Sequence, residues 1–547
     1  MAISFDLVKA AILVHGEDLA SYPHVLKVEP GVAFSEGRIT GEPAVVVKVD
    51  RKAPLATLRA RDILPARLGK VRVDVRQATV QEQLALLPRR RPEANAITPA
   101  FAVERLASGL GVVNLQTPVE RESSAAPEAE EVPYVRPPFA PTPVNADMTV
   151  VCHASPDSGW KELQAFLATP AQHLSATIFE FNAKYIRDAL LGACGTHGKL
   201  DFVMQYKNVS GFDNKEAQQD LREVLDDRLD FAWAAVASTS AVTEGWFPTA
   251  YHIKTIVKDH RHLWISSGNW KSSGQPQEDP FNSLPGFNAN AFLRDHNREW
   301  HLVIDNPELA SQFERFIRYD LDKAKEVQSG SAPETEMPDV FVPIAEPAAP
   351  EVEPEFFRPL RLTRQLRVTP LFSPDNFIEE VTALVTQATS RLYIQNQYLK
   401  PTRQARWREL NEFVAAFSRR PGVDFRVILR DLDVQESLEM MAEMDFDLSR
   451  VLKLKNTHTK GILVDNAGVV IGSHNWSGQG FMRNRDASLI FDDQEVIAYY
   501  ERLFLFDWSR AVPAELSTPE TEPLLAAPGE VIPPGMRRVG WSEFENE

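Results

Sequence analysis

Cysteine is almost missing from this chain. Cys152 and Cys194 are the only two in 547 residues, which excludes a disulfide framework and leaves both as small, buried apolar residues. Long apolar runs are missing too: nothing approaches the roughly 18 consecutive apolar residues of a membrane-spanning helix. The first twenty residues set acids and one lysine around a short apolar stretch. They lack the basic start and small-residue cleavage site of a secretory leader, so a cytoplasmic location is expected. Excess positive charge is also lacking. The formal net charge is −17, but residues 120–136, 331–355 and 515–547 alone carry −3, −7 and −5. The remainder is almost neutral, so the overall sign says little about the substrate.

What is there is ordinary folded composition, 44% apolar and 25% charged, punctuated by proline. Seven prolines lie between Pro333 and Pro359 and six between Pro513 and Pro534. Acidic, proline-rich stretches bury too little apolar surface to fold. The expected plan is a small α+β domain (1–90), a Pro- and acid-rich linker (91–146), a first α/β half (147–327), a disordered acidic linker (328–356), a second half (357–513) and an acidic tail (514–547). In the first domain, GVAFSEGRITGEPAVVVKVD reads as two strands around Ser35-Glu36-Gly37, followed by the alternating run KVRVDVRQA. The run Arg89-Arg90-Arg91 reads as a solvated linker start.

The two large bodies repeat one plan. Each opens with a helix-like run (WKELQAFLAT, FIEEVTALVTQATS), continues into strands (SATIFEF and KLDFVMQY; RLYIQNQYL and VDFRVILR), and closes with a strand and an amphipathic helix. Alternating strands and helices argue a largely buried mixed sheet. Duplication allows two halves to meet at one cleft about a pseudo-twofold axis.

The repeat is sharpest where the chemistry lies. HIKTIVKDHRHLWISSGNW begins at His252 and HTKGILVDNAGVVIGSHNW at His458. His252/His458, Lys254/Lys460, Asp259/Asp465, Ser267/Ser473, Asn269/Asn475 and Trp270/Trp476 fall in register, 206 residues apart. In a strand, residues two apart share a face, so each His and Lys enter one pocket. The apolar runs TIV and ILV anchor the strand, and a hairpin return brings Ser and Asn back beside the pair. Asp259 and Asp465 sit at the far strand end and read as structural hydrogen bonding. A phosphodiester needs a nucleophile, a leaving-group acid and cancellation of oxygen charge. Two imidazoles supply the first two; two lysines with Ser267, Asn269, Ser473 and Asn475 supply the third. No metal or cofactor is called for.

This pattern, H-x-K-x4-D followed by a Gly-Ser-x-Asn type segment, resembles the phospholipase D superfamily over about 147–513. The second copy matches closely; the first has Ser266-Ser267-Gly268-Asn269 in place of Gly-Ser-x-Asn. The resemblance implies two phospholipase D-like α/β sandwich halves, a covalent phosphohistidine, a ping-pong route, and hydrolysis or transfer to an alcohol. It also implies an acid that orients each imidazole, at Glu299 and Asp486, and His252 as nucleophile with His458 as acid.

Other candidates read more blandly. Trp270 and Trp476 suit the core at the cleft base. His260 and His262 share a strand face, but an exposed hairpin turn is the better reading than a metal pair. His474 reads as packing, and the methionines of SLEMMAEMDF as a buried helix face. For substrate, the insertion after Asn269, with Phe281, Leu284, Phe287 and Phe292, suits an apolar lid at a lipid interface. Lys271, Arg294, Arg298, Arg483 and Arg485 would be the nucleic-acid contacts of a nuclease. The expected activity is therefore cleavage or transfer of a phospholipid head-group phosphodiester, with peripheral membrane contact. A metal-independent nuclease and an inactive scaffold are the alternatives.

Overall fold

The computed structural model describes residues 4–35, 38–52, 58–80, 82–83, 134, 136–206, 214–236, 250–283, 285–326, 340–343, 352–403, 406–430, 434–514, 523–526, 531–533 and 536–539. Arg89-Arg90-Arg91, Glu36, Gly37 and Leu284 fall outside these. The N-terminal unit is a helix (Phe5–Ala20) and a four-stranded sheet of β1 (Val25–Ser35), β2 (Arg38–Val49), β3 (Arg67–Leu68) and β4 (Val71–Gln77), ordered β1-β2-β4-β3. The valines of β2 and β4 alternate onto the helix and form its core. This unit rests on the second half, against the helix Val434–Glu443. Buried Lys48 lies 3.1 Å from Glu82 and 3.4 Å from Glu439, and Arg76 pairs with Glu439.

The first half contributes β5 (Val144–Ser155), β6 (His173–Ile178), β7 (Lys199–Met204), β8 (Leu229–Trp233), β9 (Thr255–Lys258), β10 (His262–Ser266) and β11 (Glu299–Asp305). After β12 (Val340–Pro343), the second contributes β13 (Leu360–Ser373), β14 (Arg391–Asn396), β15 (Asp424–Leu429), β16 (Val451–Lys453), β17 (Lys460–Val464), β18 (Gly468–Gly472), β19 (Asp486–Phe491) and β20 (Val512–Pro513). All but β12 form one sheet, ordered β20-β16-β15-β14-β17-β18-β19-β13-β5-β11-β10-β9-β6-β7-β8. The order reads the same outward from the β13–β5 seam, which pairs antiparallel from Leu360↔Cys152 to Val368↔Val144. The duplicated α/β architecture expected from the sequence is thus present, and the seam lies on the pseudo-twofold axis.

Each half buries its outer strands in its own core. A third core is common to both, built from the seam strands and the helices Pro307–Glu326 and Gln494–Arg510. Across it, Phe316 stacks on Phe372 with ring centroids 3.8 Å apart. Cys152 and Cys194 are buried and unpaired. The acidic linker and tail are not structureless throughout. β12 pairs with β21 (Leu524–Leu525) and β22 (Met536–Val539), because Phe341, Leu524, Ala526 and Met536 give that small sheet an apolar face. Among the described residues no helix is long and apolar enough to cross a membrane.

Candidate active site

The two motif segments approach the axis from opposite halves and are stitched there crosswise. The His252 N–H donates to Arg485 O (2.7 Å), and the His458 N–H to Arg298 O (3.0 Å). The residues following those arginines are the acids. His252 Nδ1 lies 2.8 Å from Asp486 Oδ1, and His458 Nδ1 lies 3.0 Å from Glu299 Oε1. Each imidazole is therefore oriented by the carboxylate of the other half. Lys254 and Lys460 curl back so that each ammonium donates to the carbonyl of its own histidine. Lys254, Lys460 and His252 are buried, at 0%, 2% and 7% exposure, while the His458 side chain keeps 12% of its surface exposed.

The two ends of the site differ electrostatically. Burial lowers His252 to about 4, with Lys254 and Lys460 adding to the effect and Asp486 opposing it. Its Nδ1 faces two acceptors, Asp486 and Ser473 O at 3.1 Å, so Nδ1 carries the proton and Nε2 keeps its lone pair. Burial opposes ionisation of Asp486, but His252, His474 and Lys254 outweigh it and hold the carboxyl at about 2. Glu299 goes the other way. Burial raises it to about 8 against the pull of Lys460, Lys254 and Lys271. Burial and the two lysines push His458 well below the ordinary histidine range. The Glu299–His458 pair thus shares one proton at neutral pH, whereas Asp486–His252 is an ionised carboxylate beside a neutral ring. Burial also depresses Lys254 strongly, with Lys460 adding to it.

Unsatisfied polar atoms gather here. Asn269 Oδ1, Asn475 Oδ1, Glu299 Oε2 and Asp486 Oδ2 are all buried with no hydrogen-bond partner. At the site these four atoms are free to accept hydrogen bonds from a bound group. The serines are already engaged. Ser473 Oγ donates to Asp486 (2.6 Å), and Ser267 Oγ accepts the Trp300 N–H (3.0 Å). Both serines are fully buried. They brace the strands behind the imidazoles.

Asp259 and Asp465 hold strand ends. Asp259 accepts the N–H groups of Gln172 and His173. Asp465 accepts those of Thr389, Ser390 and Arg391 together with two hydroxyls. Burial alone would raise Asp465, but these bonds hold it at about 2. Trp270 and Trp476 are core residues, the latter donating Nε1–H to Asn411. His474 stacks on Phe377. His262 points elsewhere than His260, whose ring meets Glu314.

The basic candidates are corrected. Arg298 and Arg485 are 3% and 0% exposed. Arg298 donates to Ser155 O and pairs with Asp157 and Asp507; Arg485 donates to Ser373 O and pairs with Asp375 and Asp320. They are matching latches across the axis, held inside because two carboxylates neutralise each. Lys271 lies 3.1 Å from Glu180, and Arg294 pairs with its neighbour Asp295. In the insertion, Phe281, Phe287 and Phe292 pack around Phe356. The crosswise pairing, the latches and Phe179, whose ring lies 4.8 Å from that of His252, were not legible beforehand. The NR dipeptide repeated before Glu299 and Asp486 was the one available signal.

A duplicated two-histidine centre of this construction resembles that of the phospholipase D superfamily. Residues 381–508 match the family model described as cardiolipin synthase, PLD-like domain. That segment is thus a phospholipase D-like domain, in keeping with the superfamily resemblance drawn from the motifs. Among solved structures, it is similar to phosphatidylserine synthase from Haemophilus influenzae Rd KW20, at 14% identity and TM-score 0.44, covering 67% of this chain and 89% of that one. It is also similar to polyphosphate kinase from Porphyromonas gingivalis (14%, TM-score 0.39, 66% and 50%). A third similarity is to Nuc from Salmonella typhimurium, a phospholipase D family member (16%, TM-score 0.23, 32% and 95%). No curated protein matches the chain.

Proposed function

We propose that this protein cleaves or transfers a phospholipid head-group phosphodiester through a covalent phosphohistidine. The observation that carries the reading is the crosswise pair of imidazole–carboxylate contacts, Asp486 on His252 and Glu299 on His458. Nε2 of His252 attacks phosphorus; a P–N bond forms as the bond to the leaving oxygen breaks. The proton shared by His458 and Glu299 passes to that oxygen. Water or an alcohol then attacks phosphorus, the P–N bond breaks, and its proton returns to the His458–Glu299 pair. Lys254, Lys460, Asn269 and Asn475 surround the non-bridging oxygens, and the arriving anion restores full charge to Lys254. Ser267 and Ser473 act one bond further back, through Trp300 and Asp486.

A lipid is favoured over a nucleic acid because, among the described residues, most of the bases singled out for a polyanion are committed to ion pairs. Of the five bases a polyanion would use, Lys271, Arg294, Arg298 and Arg485 are already in ion pairs.

The test starts with bis-p-nitrophenyl phosphate, with and without EDTA, then sets head-group-labelled phosphatidylcholine beside single-stranded DNA. Hydrolysis insensitive to EDTA, head-group release and a labelled adduct on His252 are expected. DNA cleavage with lipid untouched replaces the lipase with a nuclease. A folded protein that turns over no diester is a scaffold.

A further inference from the structure

At the outer end of the first half, away from Lys254, three residues from separate elements meet. His173 opens β6, His260 sits in the β9–β10 turn with φ +57°, and Glu314 lies on the helix Pro307–Glu326. His260 Nδ1 is 2.7 Å from Glu314 Oε2, and His173 Nδ1 is 3.3 Å from Oε1. The rings stack with centroids 5.1 Å apart. One nitrogen from each ring and one carboxylate oxygen all lie within 4.8 Å of one another. Behind them, His173 Nε2 is 3.2 Å from Asp201 Oδ2, which Arg318 also contacts, and Ser175 Oγ donates to Glu314.

The second half supplies an internal control. There Arg391 opens β14, Asn466 occupies the hairpin turn, and Glu501 lies on the helix Gln494–Arg510. Arg391 pairs with Glu501 and donates to Asn466 Oδ1 (3.2 Å). The same junction of strand, hairpin and helix is braced in one half by a permanent guanidinium cation. In the other it is built from two imidazoles around the carboxylate. A guanidinium cannot ligate; two imidazoles and a carboxylate are a three-ligand set for a borderline divalent ion, with a fourth position for water. Asp201 is the outer carboxylate that takes the far N–H of His173, so that a bound ion would replace the proton His173 Nδ1 now shares with Glu314.

We propose that His173, His260 and Glu314 bind a divalent transition-metal ion of zinc chemistry, which braces the first half where Arg391 braces the second. The site is separate from the phosphodiester centre and holds whatever substrate that centre takes. To test it, the full chain is stripped with EDTA, reloaded with zinc chloride and desalted, then compared with His260→Ala and Glu314→Gln by metal content and thermal unfolding. The His260 side chain is 64% exposed, so its variant is expected to fold. The wild type should retain one more zinc per chain than either variant, and zinc should raise its Tm by a few degrees while leaving His260→Ala unmoved. His173→Arg combined with His260→Asn, copying the second half, should fold and take up no zinc at this site. Equal zinc content in wild type and His260→Ala, or a wild-type Tm indifferent to zinc, overturns the proposal.

Discussion

His252 and His458 are the same residue in the two copies of one motif, yet their carboxylates put them in different protonation environments. With His252 at about 4 and Glu299 at about 8, kcat/KM should be bell-shaped. On the acid side, protonating His252, the proposed nucleophile, should lower the rate as pH falls through about 4. On the alkaline side, the proton shared by Glu299 and His458 is lost as pH rises through about 8. Glu299→Gln cannot ionise, so its alkaline limb should vanish while the rate drops roughly 10²–10⁴-fold. An unchanged alkaline limb in that variant would place the acid elsewhere. Lys254→Ala and Lys460→Ala should each cost about 10²–10³ in kcat, and a wild-type rate in either would remove that lysine from the phosphate. The histidines and lysines were legible because i, i+2 spacing and duplication both survive in one dimension. Glu299 and Asp486 were named through the family resemblance, but their crosswise pairing was not legible, because spacing does not say which half's strand lies beside which imidazole. Arg298 and Arg485 were misplaced for a related reason: arginine is buried only when paired, and Asp157, Asp507, Asp320 and Asp375 lie far away in sequence.

At the level of elements, the first copy's departure from Gly-Ser-x-Asn has a packing explanation. Ser266 stands where the second half has Gly472, and its hydroxyl lies 2.7 Å from His301 Nδ1 in β11. At the matching contact of the second half the types are exchanged: His474 Nδ1 lies 2.7 Å from Ser488 in β19. Each half keeps one Ser–His contact between the hairpin return and the next strand, with the ring supplied from opposite sides. Moving the ring to β11 leaves residue 268 as glycine, and Glu299 uses that space. A Cβ on Gly268 would come 1.7 Å from Glu299 Oε2. Gly268→Ala should therefore displace the carboxylate and lower the proposed turnover to about the level of Glu299→Gln, with only a modest change in unfolding midpoint. Near-normal turnover in Gly268→Ala would mean that the Glu299 position is immaterial. The helices and strands around this contact followed from hydrophobic periodicity. The exchange itself is invisible in sequence because it is a three-dimensional compensation between positions 266, 268 and 301 that no local pattern encodes.

For the whole molecule, the axis is where stability and chemistry coincide. The β13–β5 seam, the shared core and the two arginine latches all lie there. The loops that complete the latches carry the residues just before Glu299 and Asp486. Arg485→Leu leaves Asp320 and Asp375 buried without their cation, which should cost about 3–5 kcal/mol. It should also lower activity through His252, since Arg485 O receives the His252 N–H. The duplicated plan and its meeting at one cleft could be inferred from the repeat, whereas the N-terminal unit's seat on the second half could not, because it depends on Lys48 and Arg76 meeting Glu439 across the chain. If each imidazole depends on the other half's carboxylate, covalent continuity between the halves is dispensable but their contact is not. A protease site placed within residues 344–350 should, once cut, leave two fragments that co-elute and retain turnover. Separating them in denaturant and refolding each alone should give no activity, and refolding them together should restore it. Activity in either isolated fragment would show that one half carries a complete site and would remove the crosswise carboxylates from the mechanism.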